Sequence, residues 1–347
     1  MTIEKIHLAN LDQCYAINRI QFNGARHILL ATEGHGPCYA FVGPGLAKRT
    51  VWEGPGGTMS MIPIPKRNGE FLAVQNFFPT FQSENATLVW VVPQVEGSYE
   101  VHPFLQLPFL HRFDLIPSGG VTCFLGATLC SSKAYKDDWS DPGKIWGGTL
   151  PDNPASGMTI RPILEGMTKN HGYSRVSWQG RPVGCFTSEQ GAFLVFPPEK
   201  PGEEWKTEQL LDFPVGDIAF CDLDNDGEYE IMTIEPFHGR RILIRKKILG
   251  RYEVIWEYDQ PIGFGHVVWG GRIRGLPTFI AGYREEGAAL FMVQAANAAG
   301  AKLQLKTTVI DLGTGPSNIA VQNDPDEDLI LSANRTAGEG VLYRIRD

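Results

Sequence analysis

Short apolar runs of strand length, bounded by Gly, Pro or Asp, fill this chain, and their order repeats. The strings TMSMIPI from Thr58, HRFDLI from His111, HGYSRV from His171, DIAFCD from Asp217, HVVWGG from His266 and NIAVQN from Asn318 open successive stretches of one kind, and a further start lies near Cys14. These starts recur roughly every fifty residues, the period of four-stranded blades repeated around an axis. Blade five reads most clearly: DIAFCD, an acidic turn, then EIMTIEPFHG, RRILIRKK and YEVIWEY. Such alternating or continuous apolar strings are what half-buried and fully buried strands require. The pattern predicts an all-β fold, a seven-bladed β-propeller in which residues 1–347 form one domain. EKIHLA near the amino terminus should supply the outer strand of a last blade containing DLILSAN and GVLYRIRD. That N-/C-terminal closing blade covers an otherwise open sheet edge.

Composition supports strands joined by tight turns, with 39 Gly, 24 Pro and 11% aromatic residues. The Ala-rich stretch from Ala288 to Ala301 is the nearest approach to a helical pattern, but Gly287 precedes it and Gly300 interrupts it, so it reads as a strand and a loop. A net charge of −8 without a Lys/Arg-rich run disfavours nucleic acid, whose phosphates need a basic face. The amino-terminal residues lack the apolar core of a secretion signal and no apolar run is long enough to span a bilayer, so no membrane partner and a cytoplasmic location are expected. The six cysteines form no CxxC pair and sit in apolar strings, as buried reduced thiols do. Between His111 and His171 the spacing is longest, and Ser131 to Gly148 reads as a long polar excursion.

Asp222, Asp224, Asp226 and Glu230 stand in DLDNDGEYE, where alternate carboxylates before Gly227 suit a structural calcium ion or form a plain acidic turn. A second set lies at the other end of the blades, where first-strand starts and second-strand ends share a face. The starts bring His111, His171 and His266 in one register. Three neutral imidazoles with an open position suit a divalent transition metal, zinc foremost. Hydrogen-bonded structural histidines are the alternative. Second-strand ends add Glu33 and His35, Asn76, Glu189, Glu235 and His238, Arg284 and Arg335. Glu33, Asn76, Arg284 and Arg335 are substrate-binding candidates, since guanidinium forks hold anions and hydroxyls. Trp139, Trp269 and Tyr283 are candidates to stack on a sugar ring. His7, His27 and His102 share no such register.

A metal-polarised carbonyl acidifies the neighbouring C–H, so the arrangement suits proton abstraction followed by β-elimination. His35 or His238 is the candidate base, and Glu189 or Glu235 the second acid/base group. DLDNDGEYEIMTIEPFHG, KNHGYSRV with CFTSEQGAFLVFPP, and GFGHVVWGG with FIAGYRE resemble bacterial FG-GAP/VCBS-like propellers of the kind found in aldos-2-ulose dehydratases. The resemblance implies a metal-assisted dehydratase or lyase whose partner is a small carbohydrate such as a keto-sugar. Two other readings stand beside it: a non-catalytic propeller that binds a carbohydrate or a protein, and an epimerase or hydrolase using the same face.

Overall fold

The computed structural model describes residues 1–200, 203–296 and 303–347. Chain order begins with β1 (Thr2–Asn10), then blade one with β2 (Cys14–Phe22), β3 (Ala25–Thr32), β4 (Cys38–Val42) and β5 (Ala47–Trp52). Blade two holds β6 (Met61–Pro63), β7 (Phe71–Gln75), β8 (Thr87–Pro93) and β9 (Tyr99–Gln106); blade three holds β10 (Leu110–Ser118), β11 (Val121–Thr128), β12 (Gly143–Leu150) and β13 (Ile160–Met167). Blade four holds β14 (Tyr173–Trp178), β15 (Arg181–Ser188), β16 (Gly191–Phe196) and β17 (Lys206–Leu211); blade five holds β18 (Asp217–Cys221), β19 (Glu230–Glu235), β20 (Arg241–Ile248) and β21 (Arg251–Glu257). Blade six holds β22 (Gly263–Ile273), β23 (Leu276–Glu285), β24 (Leu290–Ala295) and β25 (Leu305–Asp311), and blade seven β26 (Pro316–Asn323), β27 (Asp328–Asn334) and β28 (Glu339–Arg346). Each blade is a four-stranded antiparallel sheet, and the last has the order β1-β28-β27-β26. The chain is thus a seven-bladed β-propeller with a closing blade shared by its two ends.

The strand starts fall where the spacing put them, within a few residues. Cys14 and Asp217 open their strands, whereas His171 lies two residues before β14 and His266 lies inside β22. The excursion lies within blade three, between β11 and β12, and is shorter than its polarity suggests: it ends at Pro142, and residues 143–148 belong to β12. The Ala-rich stretch contributes β24, and its later residues, 297–301, lie outside the described residues.

By compactness the chain resolves into two units, Leu11–Phe213 and Met1–Asn10 with Pro214–Asp347. In the first, the core gathers Tyr15, Met59, Leu72, Phe77, Phe113, Phe124 and Leu129, with a second cluster around Leu125, Ile145 and Phe186. In the second, β19 and β27 are buried along their whole length, and Met232, Ile244, Phe279 and Phe291 fill the space between sheets. Second strands are covered on both faces, which explains their near-continuous apolar runs. Outer strands such as β17 and β21 are largely exposed and accordingly polar.

The closing blade has a polar fastening as well as an apolar one. Lys5 Nζ on β1 lies 2.8 Å from both Asp311 and Glu339, and the Tyr343 hydroxyl donates to Asp311 at 2.9 Å. All six cysteines are buried and none is in a disulfide, as their apolar settings suggested. No helix among the described residues is long and apolar enough to cross a membrane.

Candidate functional site

A repeated backbone device presents the residue near the start of the first strand. Strand pairing slips between Cys14 and Ala16, Leu110 and Arg112, Gly265 and Val267, and Pro316 and Asn318. The residue left out of the ladder is Tyr15, His111, His266 or Ser317, and a bulge of this kind re-aims the side chain it releases. Two positions earlier the backbone is left-handed in each case, at Gln13 (φ 50°), Phe109 (60°), Phe264 (55°) and Gly315 (54°), and Lys169 (53°) stands in the same relation to His171. The shared register of the histidines therefore has a physical origin. Tyr15 and Ser317 occupy the same position without being ionisable, so a search for titratable residues passes over them.

In the unit Leu11–Phe213, His111 and His171 are both buried, with ring centroids 4.5 Å apart. His111 Nε2 and the Tyr15 hydroxyl share a hydrogen bond of 3.1 Å, Phe77 meets the His111 ring edge-on at 5.4 Å, and Ser60 Oγ donates to the His111 carbonyl at 3.2 Å. Glu33 is buried just beyond the end of β3, and its N–H donates to the Gln13 carbonyl. His35 is exposed and lies over Phe78 at 3.8 Å. Asn76, left-handed at φ 60°, donates its N–H to the Gly56 carbonyl. Glu189 accepts from Lys169 Nζ in an ion pair. Trp139, from the polar excursion, has Lys133 Nζ 3.2 Å from its ring centre and Lys169 Nζ at 5.5 Å.

In the unit formed by Met1–Asn10 and Pro214–Asp347, the turn after β19 carries Phe237 and His238. His238 is left-handed (φ 48°) and lies face to face with Phe237 at 3.9 Å and with Phe264 at 4.0 Å. His266 stacks on His238 at 5.2 Å and is parallel to Phe264 within 6°. A Cβ on Gly239 would stand 2.1 Å from the Glu235 carbonyl oxygen, so this tight turn requires glycine there. The turn is docked on blade six by the Gly265 N–H, which donates to the Gly239 carbonyl at 2.9 Å. A non-glycine residue held left-handed costs on the order of 1–3 kcal/mol and persists only where its surroundings fix it. His238 and Phe264 are two such residues in one stack.

The buried His266 has one nitrogen assigned by its surroundings. Its Nδ1 lies 2.8 Å from the Ser317 carbonyl, which can only accept, so Nδ1 carries a proton and, in the neutral ring, Nε2 keeps its lone pair. The Arg284 guanidinium sits 4.5 Å from the Phe264 ring centre. Arg335 follows β27, half-buried. Phe237 and Phe264 escaped the sequence reading, although the strings PFHG and GFGH hold them beside histidines.

Both end-of-strand carboxylates considered as acids carry counter-ions. Glu235 accepts from Thr233 Oγ1 at 2.6 Å and pairs with both Arg245 donors, Nε at 3.1 Å and Nη2 at 3.0 Å. Tyr283 is closed to a sugar by burial, and Trp269 is half-buried. Tyr283 is buried against Tyr258 and Phe291, and Trp269 packs on the cluster around Ile280 and Tyr343, because a second-strand interior and a first-strand middle face neighbouring sheets.

Asp222, Asp224 and Asp226 lie together on the turn between β18 and β19. Asp222 accepts the N–H groups of Asp226 (3.0 Å) and Gly227 (3.1 Å), and Asp226 accepts that of Glu228 (2.9 Å). Glu230 is fully buried and accepts the Leu223 N–H at 2.8 Å. Its carboxyl is raised by burial despite a bonded Lys246, whose own pKa is pushed up by these carboxylates against its desolvation.

Solved structures of the same architecture match over the whole chain at low identity. Sqt1 of Saccharomyces cerevisiae aligns with TM-score 0.56 at 9% identity, covering 100% of this chain and 99% of that one. YCF48 of Cyanidioschyzon merolae gives 0.56 at 13%, with 100% and 99% covered. A candidate 6-phosphogluconolactonase of Bacteroides uniformis gives 0.57 at 12%, with 97% and 93% covered. They share its fold. No family model and no curated protein matches the sequence. At these identities the propellers establish architecture alone, and chemistry must be argued from the side chains.

Proposed function

We propose that this propeller is a metal-dependent carbohydrate lyase or dehydratase acting on a keto-sugar, the reaction class that the FG-GAP/VCBS-like strings also imply. The observation that carries the reading is the His266 bond to the Ser317 carbonyl, which leaves Nε2 as an electron-pair donor. Metal-ligating imidazoles are held by such a bond from their other nitrogen. A neutral imidazole presented in this way suits a divalent transition ion, zinc foremost, the ion expected from the shared sequence register of His111, His171 and His266. Such an ion, when bound, would supply Lewis-acid polarisation of a carbonyl oxygen and so acidify the adjacent C–H.

The chain's own residues then divide the work. His238, half-buried and held by its aromatic neighbours, takes the C–H proton on a ring nitrogen. The electron pair of that bond forms the double bond, the β C–O bond breaks, and the proton leaves with the hydroxyl as water. Arg284 presents guanidinium donors to substrate oxygens from its seat over Phe264. Glu235, held by two Arg245 donors, orders the blade and does not deliver the proton.

A second reading, a propeller that binds a carbohydrate or a protein partner without turnover, draws on one observation. Glu189 and Glu235 both sit in ion pairs, so neither is poised as a general acid. Incubation of zinc-loaded protein with keto-sugars and uronate-containing oligomers, followed in the ultraviolet for an unsaturated product, separates the two. Turnover that is lost in His266→Ala supports the lyase. Saturable binding without product supports the binding module.

A further inference from the structure

The acidic turn of blade five has the residue pattern of a calcium loop, and one side chain from another strand changes what it is. The pairing that sets Ile231 against Arg245 carries Glu230 opposite Lys246 on the neighbouring strand β20. Lys246 Nζ lies 2.9 Å from Asp224 Oδ2, 2.7 Å from Asp226 Oδ2 and 2.7 Å from Glu230 Oε1. An ammonium has three N–H donors, and here each has a carboxylate acceptor. Asp222 closes the turn by accepting two backbone N–H groups, and Arg272 Nη2 donates to Asn225 Oδ1 at 2.7 Å from blade six.

We infer that the turn is a cation site whose occupant is the chain's own Lys246 ammonium, and that a hard divalent ion such as calcium binds there only when that ammonium is removed. Calcium takes six to eight oxygens at about 2.3–2.6 Å, and the carboxylates that would supply them converge on Nζ instead. A tethered ammonium costs no binding entropy and cannot be chelated. Blade five, which carries His238, therefore keeps its shape in the presence of chelators.

Thermal unfolding of protein first stripped of transition metal with EDTA, measured in EDTA and in excess calcium chloride so that zinc is absent from both arms, tests this. The parent protein is expected to give one Tm in both. Lys246→Ala is expected to fall by about 5 °C or more in EDTA, with calcium restoring most of the loss. Adding Asp226→Asn to that variant removes a repelling carboxylate; this double variant should recover stability in EDTA and lose the calcium response, and it carries the test if the single variant does not fold. The inference is overturned by a parent whose Tm depends on calcium, by a Lys246→Ala protein with the parental Tm and no calcium response, or by a double variant that is no more stable in EDTA than the single one.

Discussion

Blade five carries polar groups on the turns at both ends of β19, and the two are built in opposite ways. On the turn before β19, each acidic side chain that meets Lys246 is matched by a donor, and backbone N–H groups fill most of what remains. On the turn after β19, His238 is held left-handed between two phenyl rings and stacks on an imidazole whose protonated nitrogen is already assigned. Carboxylates met by an ammonium and backbone N–H groups, on a turn whose left-handed residues are the tolerant Asn225 and Gly227, describe a fastening. Strained, aromatic, pre-oriented groups describe a site, since unusual backbone persists where function rewards it.

The contrast can be broken most severely at its structural core. Arg245→Ala leaves the buried Glu235 carboxylate without its partner, and removal of one member of such a pair costs about 3–5 kcal/mol. Chemical denaturation should show that loss. If Glu235 were instead the working acid, Glu235→Gln would abolish turnover with stability little changed. Next in size, His266→Ala should cut turnover by roughly 100-fold or more, in line with loss of an electrophilic or acid/base group, and lower the content of divalent ion. Unchanged kinetics would place the chemistry elsewhere.

Smaller effects sharpen the comparison. Arg284→Met should weaken binding of an oxygen-rich ligand by about tenfold in calorimetric titration, while Arg284→Lys, which keeps charge but loses the planar fork, should recover part of it. The smallest is a pH effect at the fastening. The hydrogen bond from Lys246 holds the Asp226 carboxyl below its usual value of 3.8. Stability from that bond is complete above the unfolded-state value and is lost as pH falls through the lower folded-state one. The Tm gap between parent and Lys246→Ala should therefore be flat from about pH 6 to 8 and narrow below about pH 4.

Much of the architecture was legible in the sequence because blades repeat their apolar runs and turns. The closing strand followed from EKIHLA, which pairs with β28 from Thr2 opposite Arg346 onward. The second-strand ends were legible too: Glu33, Asn76, Glu189 and Arg335 each follow the last residue of their strands. What lay hidden was set by contacts distant in sequence. Lys246 comes from β20, the second strand after the acidic loop, in a basic run that looks like a solvated edge. The bulges at Tyr15, His111, His266 and Ser317 depend on pairing, which apolar periodicity does not encode. Tyr283 shows the reverse error, because an aromatic residue near a strand end can face a neighbouring sheet as readily as a ligand.

The most direct test of the central claim is metal analysis of the purified chain after loading with zinc and removal of excess, joined to anomalous diffraction from its crystals. The account predicts one zinc ion per chain, with an anomalous peak at the His266 Nε2 position and none beside Lys246, and loss of that ion in His266→Ala. A chain that holds no zinc in stoichiometric amount, or one that keeps it undiminished in His266→Ala, would contradict it.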